Sequence, residues 1–263
     1  MAASDGGARV PDPQQARARA ALTAFVEQHP AQVFFSRQLE VLHEDTYFHW
    51  VTNRAVRELV EEGVLHHERR PLRTGGTIHL LWHRSYRFYR RSASRVVALV
   101  EAYAQPAITE ALGLHGELMA LEGFARCQFV LHGRDTRAYG GTQWQASEHT
   151  LDFIFARDGL LYGVEVKNAL AYMDYEEFRI KRALCRALGL RPLFVVRMLP
   201  RSWIQELIAD GGYAMILKYQ LYPWTHRALA RQVAQELGLP VDAPRALAEG
   251  TLTRFLRWHQ RQG

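Results

Sequence analysis

Apolar residues recur at helical spacing through the first hundred positions. Ala18, Leu22, Phe25 and Val26 predict a helix over Ala16 to His29, which Pro30 ends. Ser36 is positioned to cap a short second helix, Arg37 to His43. Asp45 or Thr46 then caps a third, Tyr47 to Glu62, which Gly63 closes. In this third helix Val51, Ala55, Val56, Leu59 and Val60 share a face, and Asn53, Arg54 and Arg57 lie largely off it. Two extended runs, Val64 to Arg70 and Ile78 to His83, flank Gly75-Gly76 and predict a β-hairpin. Met1 to Gln15 has no periodicity and reads as a flexible tail.

The pattern changes farther along. Residues 91–112 read as a helical connector, and His115 to Glu122 as a helix that ends at Gly123. Three strands follow: Phe124 to His132, Thr150 to Arg157, and Leu160 to Lys167, the last two joined by a tight Asp158-Gly159 turn. A helix over Asp174 to Leu188, a strand over Arg191 to Met198, a helix capped by Ser202 and a strand over Tyr213 to Leu221 complete the series. This α-β-β-β-α-β order predicts an α/β (α+β) domain, a mixed sheet flanked by helices. The expected division is residues 16–90, a connector, residues 113–225, and C-terminal helices over 226–263.

Composition narrows the classes. The chain has 263 residues, 48% of them hydrophobic, enough for two packed domains and incompatible with disorder throughout. No apolar run approaches the roughly 18 residues that span a bilayer, and the first twenty positions have no signal-peptide character, so no membrane partner and a cytoplasmic location are expected. Two cysteines, Cys127 and Cys185, make neither a disulfide framework nor a zinc cluster. No phosphate-binding glycine loop occurs, so no nucleotide cofactor is expected. Only Lys167, Lys181 and Lys218 are lysines; the other 30 cations are arginines. The net charge of +6 is concentrated: residues 64–95 carry eight basic side chains and one acidic. Such a stretch suits a polyanion.

Three helices followed by a basic hairpin resemble a winged helix-turn-helix DNA-binding domain. The run "RAVRELVEEGVLHHERRPLRTGGTIHLLWH" matches its recognition helix and wing. The resemblance implies that Asn53, Arg54 and Arg57 meet base edges in the major groove, while Arg69, Arg70 and Arg73 neutralise phosphates.

Charged residues inside the two later apolar strands are costly unless paired or bound to a metal. Counting outward from Asp158-Gly159 pairs Arg157 with Leu160 and brings Asp152 near Glu165. Glu165 and Lys167, two apart, project from one face. Two carboxylates and an ammonium on one surface can hold a hard divalent cation and polarise water. Asp152 followed by Glu165-Val166-Lys167 resembles the motif of the PD-(D/E)XK, or restriction-endonuclease-like, nuclease superfamily, over about residues 106–222. Thr150-Leu151 stands where that family often has a proline. The resemblance implies Mg²⁺ or Mn²⁺ held by Asp152, Glu165 and the Val166 carbonyl, with Glu117 joining from the preceding helix. It implies that Lys167 orients and helps deprotonate the attacking water. Asn168, Tyr175, Arg179 and Lys181 are candidate supporting residues. The expected function is a metal-dependent DNA endonuclease acting on double-stranded or branched DNA, with a homodimer by analogy. The alternative is a non-catalytic DNA-binding regulatory or plasmid or prophage replication factor that keeps the fold.

Overall fold

The computed structural model describes residues 12–262. Most of the expected tail lies outside these residues, but Pro13 to Gln15 are already helical. Contacts divide the chain into two compact units, 12–105 with Leu237–Leu239, and 106–236 with 240–262.

The first unit opens with α1 (Pro13–Gln28). Asp12 caps it by accepting the Gln14 N–H at 2.9 Å, and Pro13 loses nothing by lacking an N–H in the first turn. Its stripe of Ala18, Leu22 and Val26 is buried. β1 (Val33–Phe35) leads into α2 (Ser36–Leu42). Ser36 lies inside α2, and the cap is made in reverse: the Gln38 Oε1 accepts the Phe35 N–H at 3.2 Å. α3 (His49–Glu61) begins after Phe48, which offers no side-chain cap, so neither Asp45 nor Thr46 serves. It ends at Gly63, whose φ of +70° lets the Val64 N–H turn back to the Leu59 carbonyl at 2.9 Å. β2 (Leu65–Pro71) and β3 (Thr77–His83) form the hairpin, turning through Gly75 and Gly76, both at positive φ. β1 pairs antiparallel with β3 and completes a three-stranded sheet in the order β1-β3-β2. Leu22, Phe34, Leu39, Val51, Ala55, Leu59 and Leu81 make the core between helices and sheet. α4 (Tyr89–Tyr103) follows, with Tyr89 stacked on Trp82 at 3.9 Å.

The second unit begins with α5 (Pro106–Arg126). Residues 91–112 are thus the end of one helix and the start of another, separated by Ala104 and Gln105. α5 does not stop at Gly123, and the expected strand from Phe124 starts six residues later. Phe124 is fully buried on the helix, where it meets Phe155 and Phe255. Gly123 is a contact point, since a Cβ there would stand 3.0 Å from Leu247. Gln128, at φ +60°, turns the chain into β4 (Val130–Thr136). A small hairpin, β5 (Ala138–Tyr139) and β6 (Thr142–Gln143), precedes β7 (Leu151–Arg157) and β8 (Leu160–Lys167). α6 (Tyr175–Ala187) is capped by Asp174, which accepts the Glu176 and Glu177 N–H groups. Then come β9 (Arg191–Val196), α7 (Arg201–Ala209) and β10 (Tyr213–Ile216). Ser202 sits within α7, with Pro200 at the cap position.

The main sheet is mixed and runs β10-β9-β8-β7-β4: β7 pairs antiparallel with both β4 and β8, and β9 and β10 run parallel to β8. The expected strand to Leu221 breaks after Ile216. Gln220–Leu221 forms β11 instead and pairs with β12 (Val241–Asp242), either side of α8 (Arg227–Leu237). α9 (Glu249–His259) closes the chain by seating Phe255 in the core with Phe124, Phe129 and Tyr162. Each fully buried aromatic of this kind contributes roughly 1.5–3 kcal/mol. The last helix, α9, is therefore part of this unit's core.

Candidate active site

The Asp158-Gly159 turn fixes the site. Both residues have positive φ, which closes a two-residue hairpin, and the register runs from Arg157 opposite Leu160 to Phe153 opposite Val164. One more step puts Asp152 opposite Glu165, as counting along the sequence predicts. Opposed residues share a face of the sheet. On that face lies α6, where Leu184 and Cys185 pack against Leu151 and Ile154. Gly163 allows the approach: a Cβ there would stand 2.6 Å from the Cys185 Sγ.

The two acids are bound from one side only. The Asp152 Oδ2 accepts the Val166 N–H at 2.6 Å, and the Glu165 Oε2 accepts from the Lys181 ammonium. Asp152 Oδ1 and Glu165 Oε1 accept no hydrogen bond among the described residues. Burial pushes Asp152 up to about 6, against the opposing pull of the Val166 N–H and Lys181. Burial, with repulsion from Asp152, pushes Glu165 up to about 8 despite its contact with Lys181. Perturbation of two facing carboxylates by burial and neighbouring acids is characteristic of functional clusters.

The lysines are divided differently from expectation. Lys181, 8% exposed, donates to Glu165 and to the Thr150 carbonyl. Lys167 is directed to Glu177 on α6, with Nζ 3.1 and 3.2 Å from its two oxygens. Glu177 is a partner that the sequence reading omits. Its signal was available: Glu177 and Lys181 are four apart on one helix, and Lys181 interrupts the apolar stripe of Phe178, Leu184 and Cys185. Glu117 is held by Arg134 at 3.3 Å. Among these four acids, Asp152 alone forms no ion pair among the described residues.

Three other candidates do not reach the acids. Asn168 is buried and wholly engaged, donating to the Leu112 and Leu221 carbonyls and accepting the Leu221 N–H at 2.7–2.8 Å. It packs on Gly116 of α5, where a Cβ would stand 2.5 Å away. Asn168 thus ties β8 to α5 and β11. Tyr175 is exposed and packs on Trp203, and Arg179 pairs with Glu176.

The donor set fits a hard divalent cation: two carboxylate oxygens free, one acid without a cation, and surroundings too buried for cheap ionisation. Among the described residues no group of three or more His, Cys, Asp or Glu side chains is able to hold a metal. Asp152 and Glu165 would therefore hold an ion with backbone oxygen or water, and the expected Glu117 ligand stays with Arg134.

In the first unit, Arg54, Arg57 and Arg69 are exposed and form no ion pair among the described residues. Arg57 borders a cleft of about 430 Å³ between α3 and the hairpin, together with His67 and His79. The other three expected contacts are engaged internally. Asn53 donates to Glu40 at 3.0 Å, Arg70 pairs with Glu68, and Arg73 pairs with Glu101 of α4 at 2.7 Å.

Comparison with known protein families, curated proteins and solved structures finds no match for this chain. No helix among the described residues is long and apolar enough to cross a membrane.

Proposed function

We propose that this chain is a divalent-metal-dependent endodeoxyribonuclease of the PD-(D/E)XK type, carried to DNA by a winged-helix unit. The observation that carries the reading is the buried Asp152–Glu165 pair, with one oxygen free on each acid and two lysines beside it. The order helix, strand, helix, helix, strand, strand with a three-stranded sheet supports the winged helix. An antiparallel β4-β7-β8 meander continued by parallel β9 and β10 supports the nuclease-like unit.

A Mg²⁺ or Mn²⁺ ion at such a pair supplies Lewis acidity and lowers the pKa of bound water. The chain supplies the rest. Asp152 is oriented by the Val166 N–H and Glu165 by Lys181, so neither acid has to reorganise when a ligand arrives. Lys167, partly exposed and held by Glu177, lies on the same face as Glu165 and can move a proton, as arginine cannot. Arg54, Arg57 and Arg69 offer a cationic surface to phosphates.

The test is incubation of the full chain with supercoiled, linear and branched DNA in Mg²⁺ or Mn²⁺. Nicking or linearisation is expected, and Asp152→Asn and Lys167→Ala should each reduce it at least a hundredfold. Cleavage that survives both changes refutes the site. DNA binding with no cleavage under any condition refutes the enzyme and leaves a DNA-binding factor, for which the Lys181–Glu165 pair would be a permanent structural tie.

A further inference from the structure

Two of the three lysines of this chain, Lys167 and Lys181, stand at the acid cluster, in a sequence that uses arginine for 30 of its 33 basic residues. Their surroundings differ. Lys167 is 36% exposed and its charge is shared with solvent. The Lys181 and Glu165 side chains are 8% and 6% exposed, and the ammonium is pinned between a carboxylate and the Thr150 carbonyl. On α6 it lies among Phe178, Leu184 and Cys185, each fully buried, and the acid one turn before it, Glu177, is taken by Lys167.

The ion pairs give this contact a meaning. Glu117 shares Arg134 with Asp135, Glu177 has Lys167 and Glu165 has Lys181, and Asp152 forms no ion pair of its own among the described residues. We infer that Lys181 is the built-in counter-ion of the acid pair, occupying Glu165 in place of half the charge of a divalent cation, so that ammonium and cation oppose each other at the same carboxylate. The inference rests on the reading of Asp152 and Glu165 as a cation site. Lys181 then sets how weakly the ion is held, and keeps the facing carboxylates folded together when no ion is bound.

Three variants of the full chain separate this from its rivals: Lys181→Met, Lys181→Gln and Lys167→Met. Glutamine keeps a donor for Glu165 and Thr150 and guards against misfolding of the methionine variant, with circular dichroism confirming the fold of each. Mn²⁺ affinity is read at pH 7.5, without DNA, from the electron paramagnetic resonance signal of free Mn²⁺. Both Lys181 variants should bind Mn²⁺ at least tenfold more tightly than the native chain, and Lys167→Met less than threefold more tightly. Unchanged or weaker binding in the Lys181 variants overturns the inference and leaves the cation site standing. Equal tightening in Lys167→Met also overturns it, because the effect would then be one of general charge. Absence of Mn²⁺ binding in the native chain and every variant removes the cation site itself, and the inference with it.

Discussion

Replacing Asp152 with asparagine should stabilise the protein while abolishing its proposed chemistry, and the gain should depend on pH in a defined way. Folding raises the Asp152 carboxyl from 3.8 to about 6, mainly through burial. A group with a raised folded pKa favours the folded state only where it is protonated. Its contribution is fully present below the unfolded value and is lost as pH rises through 6. At 1.36 kcal/mol per pKa unit, ionised Asp152 costs ~0.5 kcal/mol at pH 4 and ~3 kcal/mol at pH 8. Asparagine has no charge to bury and keeps an oxygen for the Val166 N–H. Asp152→Asn should therefore gain ~3 kcal/mol over the native chain at pH 8 and little at pH 4. For a unit of this size the pH 8 gain corresponds to roughly 6–12 °C in Tm. The measurement is urea unfolding with a chelator present, followed by circular dichroism at both pH values. Loss of stability at pH 8, or the same gain at both pH values, would refute the electrostatic reasoning. Saturating Mn²⁺ should shrink the difference at pH 8, because only the native acid pair gains by binding it.

Three further outcomes test other parts of the structure. Arg69→Ala should lower the slope of log affinity for DNA against log salt by about 1, since this exposed guanidinium has no internal partner; an unchanged slope would move phosphate contact elsewhere. Gly116→Ala should destabilise by about 2 kcal/mol in urea titrations, because the new methyl would stand 2.5 Å from the Asn168 Cβ and disturb a buried side chain with three hydrogen bonds; native stability would show that the two backbones part easily. His259→Leu should cost about 1–3 kcal/mol, since His259 bridges the buried Tyr162 hydroxyl, at 2.7 Å, to Asp158, at 3.0 Å, and its loss strands that hydroxyl. Adding Tyr162→Phe should recover part of the loss, and strictly additive costs would deny the bridge.

Legibility in the sequence followed the range of the interaction. The β7–β8 register needs only a two-residue turn and a count outward, so Asp152 and Glu165 could be paired without any tertiary knowledge. The hairpin of the first unit was legible because its strands are also neighbours in sequence, joined by residues 72–76 with their Gly75-Gly76 signal. β1 was not, because three residues between Pro30 and Ser36 carry no period, and only pairing with β3 makes them a strand. Phe124 to Arg126 read as strand or helix equally well from an apolar run of this length; burial against α9, more than 120 residues away, holds them helical. Asn53, Arg70 and Arg73 looked available because their partners Glu40, Glu68 and Glu101 are invisible to a reading that scores one face of one element.

The lysines are the instructive case, because motif spacing and packing answer different questions. Glu-x-Lys spacing guarantees only that Glu165 and Lys167 emerge from one face of β8; it leaves the distance between the charged groups free. That distance is set by α6, which crosses the face and brings two charged residues of its own. Glu177, four residues before Lys181, draws the Lys167 ammonium outward, and the same helix delivers Lys181 to Glu165. Two salt bridges thus stand on this face, and they differ in character. The half-buried Lys167–Glu177 pair is partly screened by water. The buried Lys181–Glu165 pair cannot lose one member without stranding the other, a cost of about 3–5 kcal/mol. On the proposed reading, an ammonium open to water suits proton movement at a reacting phosphate, and a buried one suits holding a carboxylate still. On the proposed reading, a division of labour between two lysines requires one face shared by β8 and α6, and both side chains stand on it.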